Sequence, residues 1–222
     1  KIRRWRDWLG TERDAEARKQ LLSITDAYAV AALSRLIEED PAPAARRLYA
    51  EALAGIGTAG AYRVLAERSL ADPVEEVRLT CLDFLEKTGH PDVVAYFVGK
   101  LKSKDNREVN LAAIGLARMD DPSAVGPLID ALVTVHTFRI NRPGGPGSVT
   151  TTFGTGPGGS GVPGGGGLSV GGGSKTVRRT IANQNVLDAL VTITGQNFNF
   201  DHQAWKYWHA GQKQRPTLDA PR

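Results

Sequence analysis

The chain is poor in the residues that carry covalent and metal chemistry, with one cysteine, one methionine and four histidines among its 222 positions. A lone Cys81 excludes an internal disulfide and a cysteine-rich zinc site. Its place on an apolar helical stripe makes it a buried structural thiol rather than a nucleophile. No apolar run approaches the ~20 residues that cross a bilayer, so no membrane span is expected. Between Asp130 and Asp188 acidic residues are missing altogether. A start at Lys1 instead of Met reads as a fragment or a processed product, with any signal peptide outside the sequence. What is present, 41% hydrophobic and 23% charged, suffices for one continuous core in a soluble protein.

The net charge of +4 is unevenly spread. Residues 1–20 hold seven basic and four acidic groups, residues 21–130 hold 12 and 17, residues 131–187 five and none, and residues 188–222 four and three. An acidic body therefore carries basic appendages.

The body repeats itself. Within DPVEEVRLTCLDFLEKTGH (72–90), Val77, Cys81, Phe84, Leu85 and Thr88 stand at i, i+4, i+7, i+8 and i+11, one face of an α-helix. A step of 32 residues forward gives Val109, Ala113, Leu116, Ala117 and Asp120, and a step back gives Ala45, Tyr49, Ala52, Leu53 and Ile56. Asp40-Pro41 maps onto Asp72-Pro73, and Gly57 onto Gly89. Ala61, Tyr62, Leu65 and Ala66 likewise answer Val93, Val94, Phe97 and Val98. The pattern predicts helices at about 26–39 and 43–56, 59–70 and 74–88, and 91–103 and 106–119, with the repeats beginning at Leu21. Pro41, Pro73 and Pro91 are placed at helix starts, and Gly57 and Gly89 at left-handed C-terminal caps. A lone hairpin cannot cover its core stripe, so self-similarity with this period means stacked helical hairpins.

The segments DPVEEVRLTCLDFL (72–85), KDNREVNLAAIGLARM (104–119) and DPSAVGPLIDAL (121–132) resemble the HEAT-repeat family, in particular the short bacterial HEAT-like repeats also found beside phycobilisome-lyase subunits. The likeness covers roughly residues 25–133 and the helix near 184–194. It implies an all-α protein, a right-handed α-solenoid of HEAT-like hairpins, in a family that contains scaffolds, adaptors, nucleic-acid binders and some enzymes. The His-Glu pairs by which HEAT-like hydroxylases hold iron are absent, since the histidines occur as His90-Pro91, His136-Thr137, His202-Gln203 and His209-Ala210. His202 and His209 on one helix face are too few ligands for a metal. No converging reactive set can be assembled, so no catalytic residue, metal or cofactor is expected.

The fourth hairpin is interrupted. Its first helix, Pro122 to about Val133, runs into VTVHTFRI (133–140), and KTVRRTI (175–181) has the same β-branched character. Only then follows the second helix, NQNVLDALVTITG (183–195). A strict step would bring its closing glycine to 153, yet it stands at Gly195, 42 residues later. We read residues 134–182 as a β-hairpin insertion, an antiparallel ribbon of about 134–140 with 175–181, carrying a Gly-rich tip at 143–174. Between Gly144 and Gly173 lie 15 of the 25 glycines, a composition that cannot offset the entropy of ordering and predicts a mobile tip. SVTTTF (148–153) is a candidate for a short extra strand. GPGGSG and GGGG do not lead from a strand into a helix, as a nucleotide-binding loop would.

At the N-terminus, residues 1–20 place Trp5, Trp8 and Leu9 at helical spacing. This predicts a basic amphipathic helix that caps the first hairpin or, through Arg3, Arg4 and Arg6, docks on something else. At the C-terminus, residues 196–222 form an aromatic cap and tail. Phe198, Phe200, Trp205, Tyr207 and Trp208 gather there, with Asp201 as N-cap of a helix over about 202–211. They read as a hydrophobic lid on the last repeat, or alternatively as an aromatic ligand cage. Similar GQxFxxDxxxWxxW endings follow terminal repeats in bacterial HEAT-like proteins.

Taken together, these features point to a non-catalytic scaffold or adaptor that binds other proteins, with nucleic-acid binding as the alternative. Arg46, Arg78 and Asn110 are equivalent by the 32-residue step and lie off the apolar stripe. They line a second-helix groove, or they tie neighbouring hairpins together as a polar ladder. The projecting ribbon is the scaffold's other candidate binding surface, and its Arg139, Arg142, Lys175, Arg178 and Arg179, in an acid-free insertion, are also what favours nucleic acid. Against that alternative stands the acidic body, which repels a phosphate backbone.

Overall fold

The computed structural model of the chain describes residues 1–86, 88, 90–141, 149–150, 169–170 and 174–213. Among these residues it is mostly helical, with eleven α-helices and two small β-pairings. It divides into two units, residues 1–134 with 182–222, and residues 135–181.

The helical unit opens on α1 (Ile2–Trp8) and α2 (Asp14–Leu22). The sequence pattern predicts one helix here, and the structure has two. Gly10 adopts a left-handed φ of +74°, which favours glycine, and its amide donates to Asp14 Oδ1 at 2.9 Å. The Arg13 guanidinium lies 3.3 Å from the centroid of the Trp8 ring and holds the reversal. Ala17 and Leu21 are the buried residues of α2, which packs on α4 (Pro43–Ile56).

Four helical pairs follow. A 3₁₀ turn at Ala27–Ala29 leads into α3 (Val30–Glu39), which pairs with α4. Next come α5 (Ala59–Ala71) with α6 (Glu75–Glu86), and α7 (Pro91–Lys100) with α8 (Asn106–Met119). A second 3₁₀ turn, Pro122–Ala124, leads into α9 (Val125–Ala131), which pairs with α10 (Gln184–Thr194). Finally α11 (His202–Lys213) packs on α9. Across the pairs, α4 lies against α6, α5 against α7, and α8 against α10.

Aspartates set the helix entries: Asp26, Asp40, Asp72, Asp105, Asp121 and Asp201 each accept the backbone N–H two residues further on. Pro91 is the first residue of α7, whereas Pro41 and Pro73 sit in the turns two residues ahead of α4 and α6. Gly57 and Gly195 close α4 and α10 in the left-handed region, with φ of +66° and +67°. α8 closes instead on Asp120, at φ +48°. Gly89 lies outside the described residues.

Most of the stripe read from the sequence is core: Tyr49, Leu53, Val77, Cys81, Leu85, Val109, Ala113 and Leu116 are all 0% exposed and belong to one apolar cluster with residues from every pair, while Ile56, Phe84, Thr88 and Ala117 are half-buried and Asp120 is exposed. Between α7 and α8 the approach is so close that a Cβ on Gly115 would lie 2.9 Å from Phe97 Cζ. No helix among the described residues is long and apolar enough to cross a membrane.

In the insertion, β1 (Val133–Asn141) pairs with β4 (Ser174–Ala182). The short β2 (Val149–Thr150) pairs antiparallel with β3 (Ser169–Val170), Val149 opposite Val170. β2 falls within the candidate strand SVTTTF. The rest of the Gly-rich tip, on which the expectation of mobility falls, lies outside the described residues, as does Arg142.

Candidate functional site

Arg46 and Arg78 occupy the same place in successive hairpins and do the same local work. Arg46 Nη1 donates to the carbonyls of Asp40 and Pro41 at 2.9 and 3.3 Å, and Arg78 Nη1 to those of Asp72 and Pro73 at 2.8 and 3.2 Å. Each guanidinium thus holds the turn that precedes its own helix. Arg46 also reaches the next hairpin, where Nε and Nη2 meet the two carboxylate oxygens of Asp72 at 2.9 and 3.0 Å. Both partners are buried, the side chains being 7% and 1% exposed. Asn110 makes the corresponding link at the far end, its Nδ2 donating to the Asn106 carbonyl at 2.8 Å and to Asn183 Oδ1 at 3.3 Å. The middle step is different: Lys104 stands 32 residues after Asp72, and the aspartate of that turn, Asp105, is exposed and caps α8. Among the described residues the fully buried ion pair belongs to the α4–α6 step alone.

Asn183 was not singled out by its spacing, yet it closes the interrupted hairpin. Its side chain, 1% exposed, donates through Nδ2 to the Ala131 carbonyl and to Thr134 Oγ1, both at 2.8 Å, while its backbone N–H reaches the Leu132 carbonyl at 2.9 Å. The sequence marks it only as the first residue of the helical segment NQNVLDALVTITG, and in the structure it stands one residue ahead of α10 as its N-cap.

In the insertion, Arg178 and Arg179 are exposed on β4, and Val135 and Phe138 are 60% and 41% exposed on β1. Arg139 and Lys175 lie on the backbones of β1 and β4.

The C-terminal aromatics pack on one another. Trp205 is fully buried, its Nε1 donates to the Asn199 carbonyl at 2.8 Å, and Phe198 meets its ring edge-on at 5.0 Å between centroids. Trp208 completes the cluster, whereas Tyr207 is 87% exposed. His202 and His209 do not converge. His202 Nε2 lies 3.8 Å from Asp130 Oδ1, and His209 Nε2 faces Gly126, where an added Cβ would meet it at 3.5 Å.

Beside that helix runs a groove of about 750 Å³ between α7, α9 and α11. Val98, Leu101, Pro127, Ile129 and Ala131 give it an apolar floor, and Lys102, Asp130, Lys206 and His209 a polar rim. Lys206 Nζ stands 3.4 Å from Asp130 Oδ1. The consecutive Gly126 and Pro127 on α9, small where a helix would carry larger side chains, were the one sequence hint of the space.

Reactive groups elsewhere are muted by burial. Burial, reinforced by the Asp72 carboxylate, pushes the Cys81 thiol up to about 12. Burial also holds the Tyr49 phenol above its usual range, and so does the hydrogen bond it donates to Asp40 Oδ2 at 3.0 Å. Among the described residues no three His, Cys, Asp or Glu side chains come together as a metal site. The chain matches none of the protein-family models and none of the curated proteins with which it was compared.

Proposed function

We propose that this protein is a non-catalytic adaptor that binds other proteins, built as a right-handed α-solenoid of HEAT-type hairpins with a ribbon inserted in the last. The observation that carries this reading is the order of packing. α4 lies against α6, α5 against α7 and α8 against α10, so the main contacts between hairpins link each one to its successor. Such an array offers extended surface in place of a single reactive centre. Four of the five buried polar side chains among the described residues support the same view: Arg46, Asp72 and Asn183 hold turns and neighbouring helices, and Ser69 Oγ donates to the Ala66 carbonyl of its own helix at 2.8 Å, while the fifth, His136, lies on β1.

Nucleic-acid binding is the second reading, favoured by the exposure of Arg178 and Arg179 on β4. Fluorescence anisotropy with labelled duplex and single-stranded oligonucleotides separates the two. The adaptor reading expects no appreciable affinity at physiological salt. Affinity that falls steeply with salt, with a shallower slope in Arg178→Glu/Arg179→Glu, would establish the nucleic-acid reading instead.

A further inference from the structure

We infer that the groove between α7, α9 and α11 receives an amphipathic α-helix of a partner protein, one with acidic residues flanking its apolar face. The inference rests on the adaptor reading and names the chemistry of the partner. A small ligand needs most of its surface enclosed. Here Lys102, Asp130, Lys206 and Ala210 line the groove while remaining exposed, so it is an open trough above an apolar floor. A helix can lie in such a trough with one face buried and the other in water. The α11 wall is already in place, since Trp205 is fully buried and hydrogen-bonded through its indole.

Charge decides the sign of the partner. Residues 21–130 carry 12 basic and 17 acidic groups, yet the charged residues of the rim are Lys102 and Lys206 against Asp130 alone. Asp130 is itself paired with Lys206 at 3.4 Å. Asp130 and Lys206 offset one another, so the exposed Lys102 leaves the rim with one net positive charge on an acidic body, which favours acidic side chains over basic ones.

The test is fluorescence anisotropy of the full chain with a synthetic peptide of about 14 residues, leucines at i, i+3, i+4 and i+7 and glutamates beside them. Saturable binding is expected, about tenfold weaker when lysines replace the glutamates or when the sequence is scrambled. Ala210→Trp fills the trough from an exposed position and should weaken binding by about tenfold while leaving thermal melting unchanged. Lys102→Glu with Lys206→Glu should invert the preference between the acidic and basic peptides. Equal affinity for the two peptides, or binding that survives Ala210→Trp, overturns the inference. So does dodecanoate displacing the peptide at lower concentration than the peptide itself requires, because the occupant is then a small amphiphile. Capture from nuclease-treated lysate keeps this failure apart from that of the adaptor reading. Proteins captured equally by wild type and Ala210→Trp remove the groove but keep the adaptor, and a lysate that yields no protein removes the adaptor.

Discussion

The guanidinium of Arg46 bonds both oxygens of a buried carboxylate and two carbonyls of its own turn. Two charges held out of water are tolerated only while both partners remain. Arg46→Ala leaves Asp72 buried without its counter-ion and should cost about 3–5 kcal/mol in urea unfolding. Arg46→Met combined with Asp72→Asn, which keeps an acceptor for the Val74 N–H, should cost less than Arg46→Ala alone. Cys81 carries a different signature, in pH. Its thiol is raised to about 12 in the folded chain, so its contribution is intact below the unfolded thiol value and is lost as pH rises toward that figure. One unit above the unfolded value of about 8.5 the loss is about 1.4 kcal/mol. Thermal melts at about pH 7.5 and 9.5 should therefore show a smaller alkaline loss in Cys81→Ala than in wild type. Spacing made Arg46, Arg78 and Asn110 equivalent, but their partners were not legible in it. Asp72 answers Arg46 and Asn183 answers Asn110, while the turn after Arg78 brings Lys104 to the equivalent position.

Helices and strands were legible wherever a stripe had room to repeat. α4 and α8 run over the residues their apolar periodicity marks, and β1 and β4 over the two β-branched runs. The departures have local causes: Gly10 splits the first helix, and Asp120 takes the left-handed cap one residue ahead of the position where the step from Gly57 and Gly89 would place it. β3 was hidden because Ser169–Val170 lies in a Gly-rich run with no periodicity of its own. The interrupted hairpin gives the sharpest tests at this scale. The apolar cluster passes from Leu132 to Val186 with no described member between them, so the helical unit keeps its core when the tip is shortened. Replacing residues 143–173 by an Asn-Gly turn should leave the melting temperature within a degree or two, about the effect of a loop change. Asn183→Ala should do the opposite. It strands the Ala131 carbonyl and the Thr134 hydroxyl, and should lower stability by about 1–3 kcal/mol in chemical denaturation.

For the molecule as a whole, the mainly helical character was readable because the 32-residue step marks α4, α6 and α8 alike, and α5 and α7 alike, while the groove was not. Its floor comes from α7 and α9 and its wall from α11, elements brought together by packing that no local pattern encodes. The adaptor proposal depends on surfaces of this kind, and it is tested most directly by what the full chain retains from a native lysate after nuclease treatment. Analysis of the eluate by native mass spectrometry should find a discrete protein bound in fixed ratio to the chain, resistant to nuclease and diminished in Ala210→Trp. An eluate whose bound proteins vanish with nuclease, or one containing the chain alone, would contradict the account.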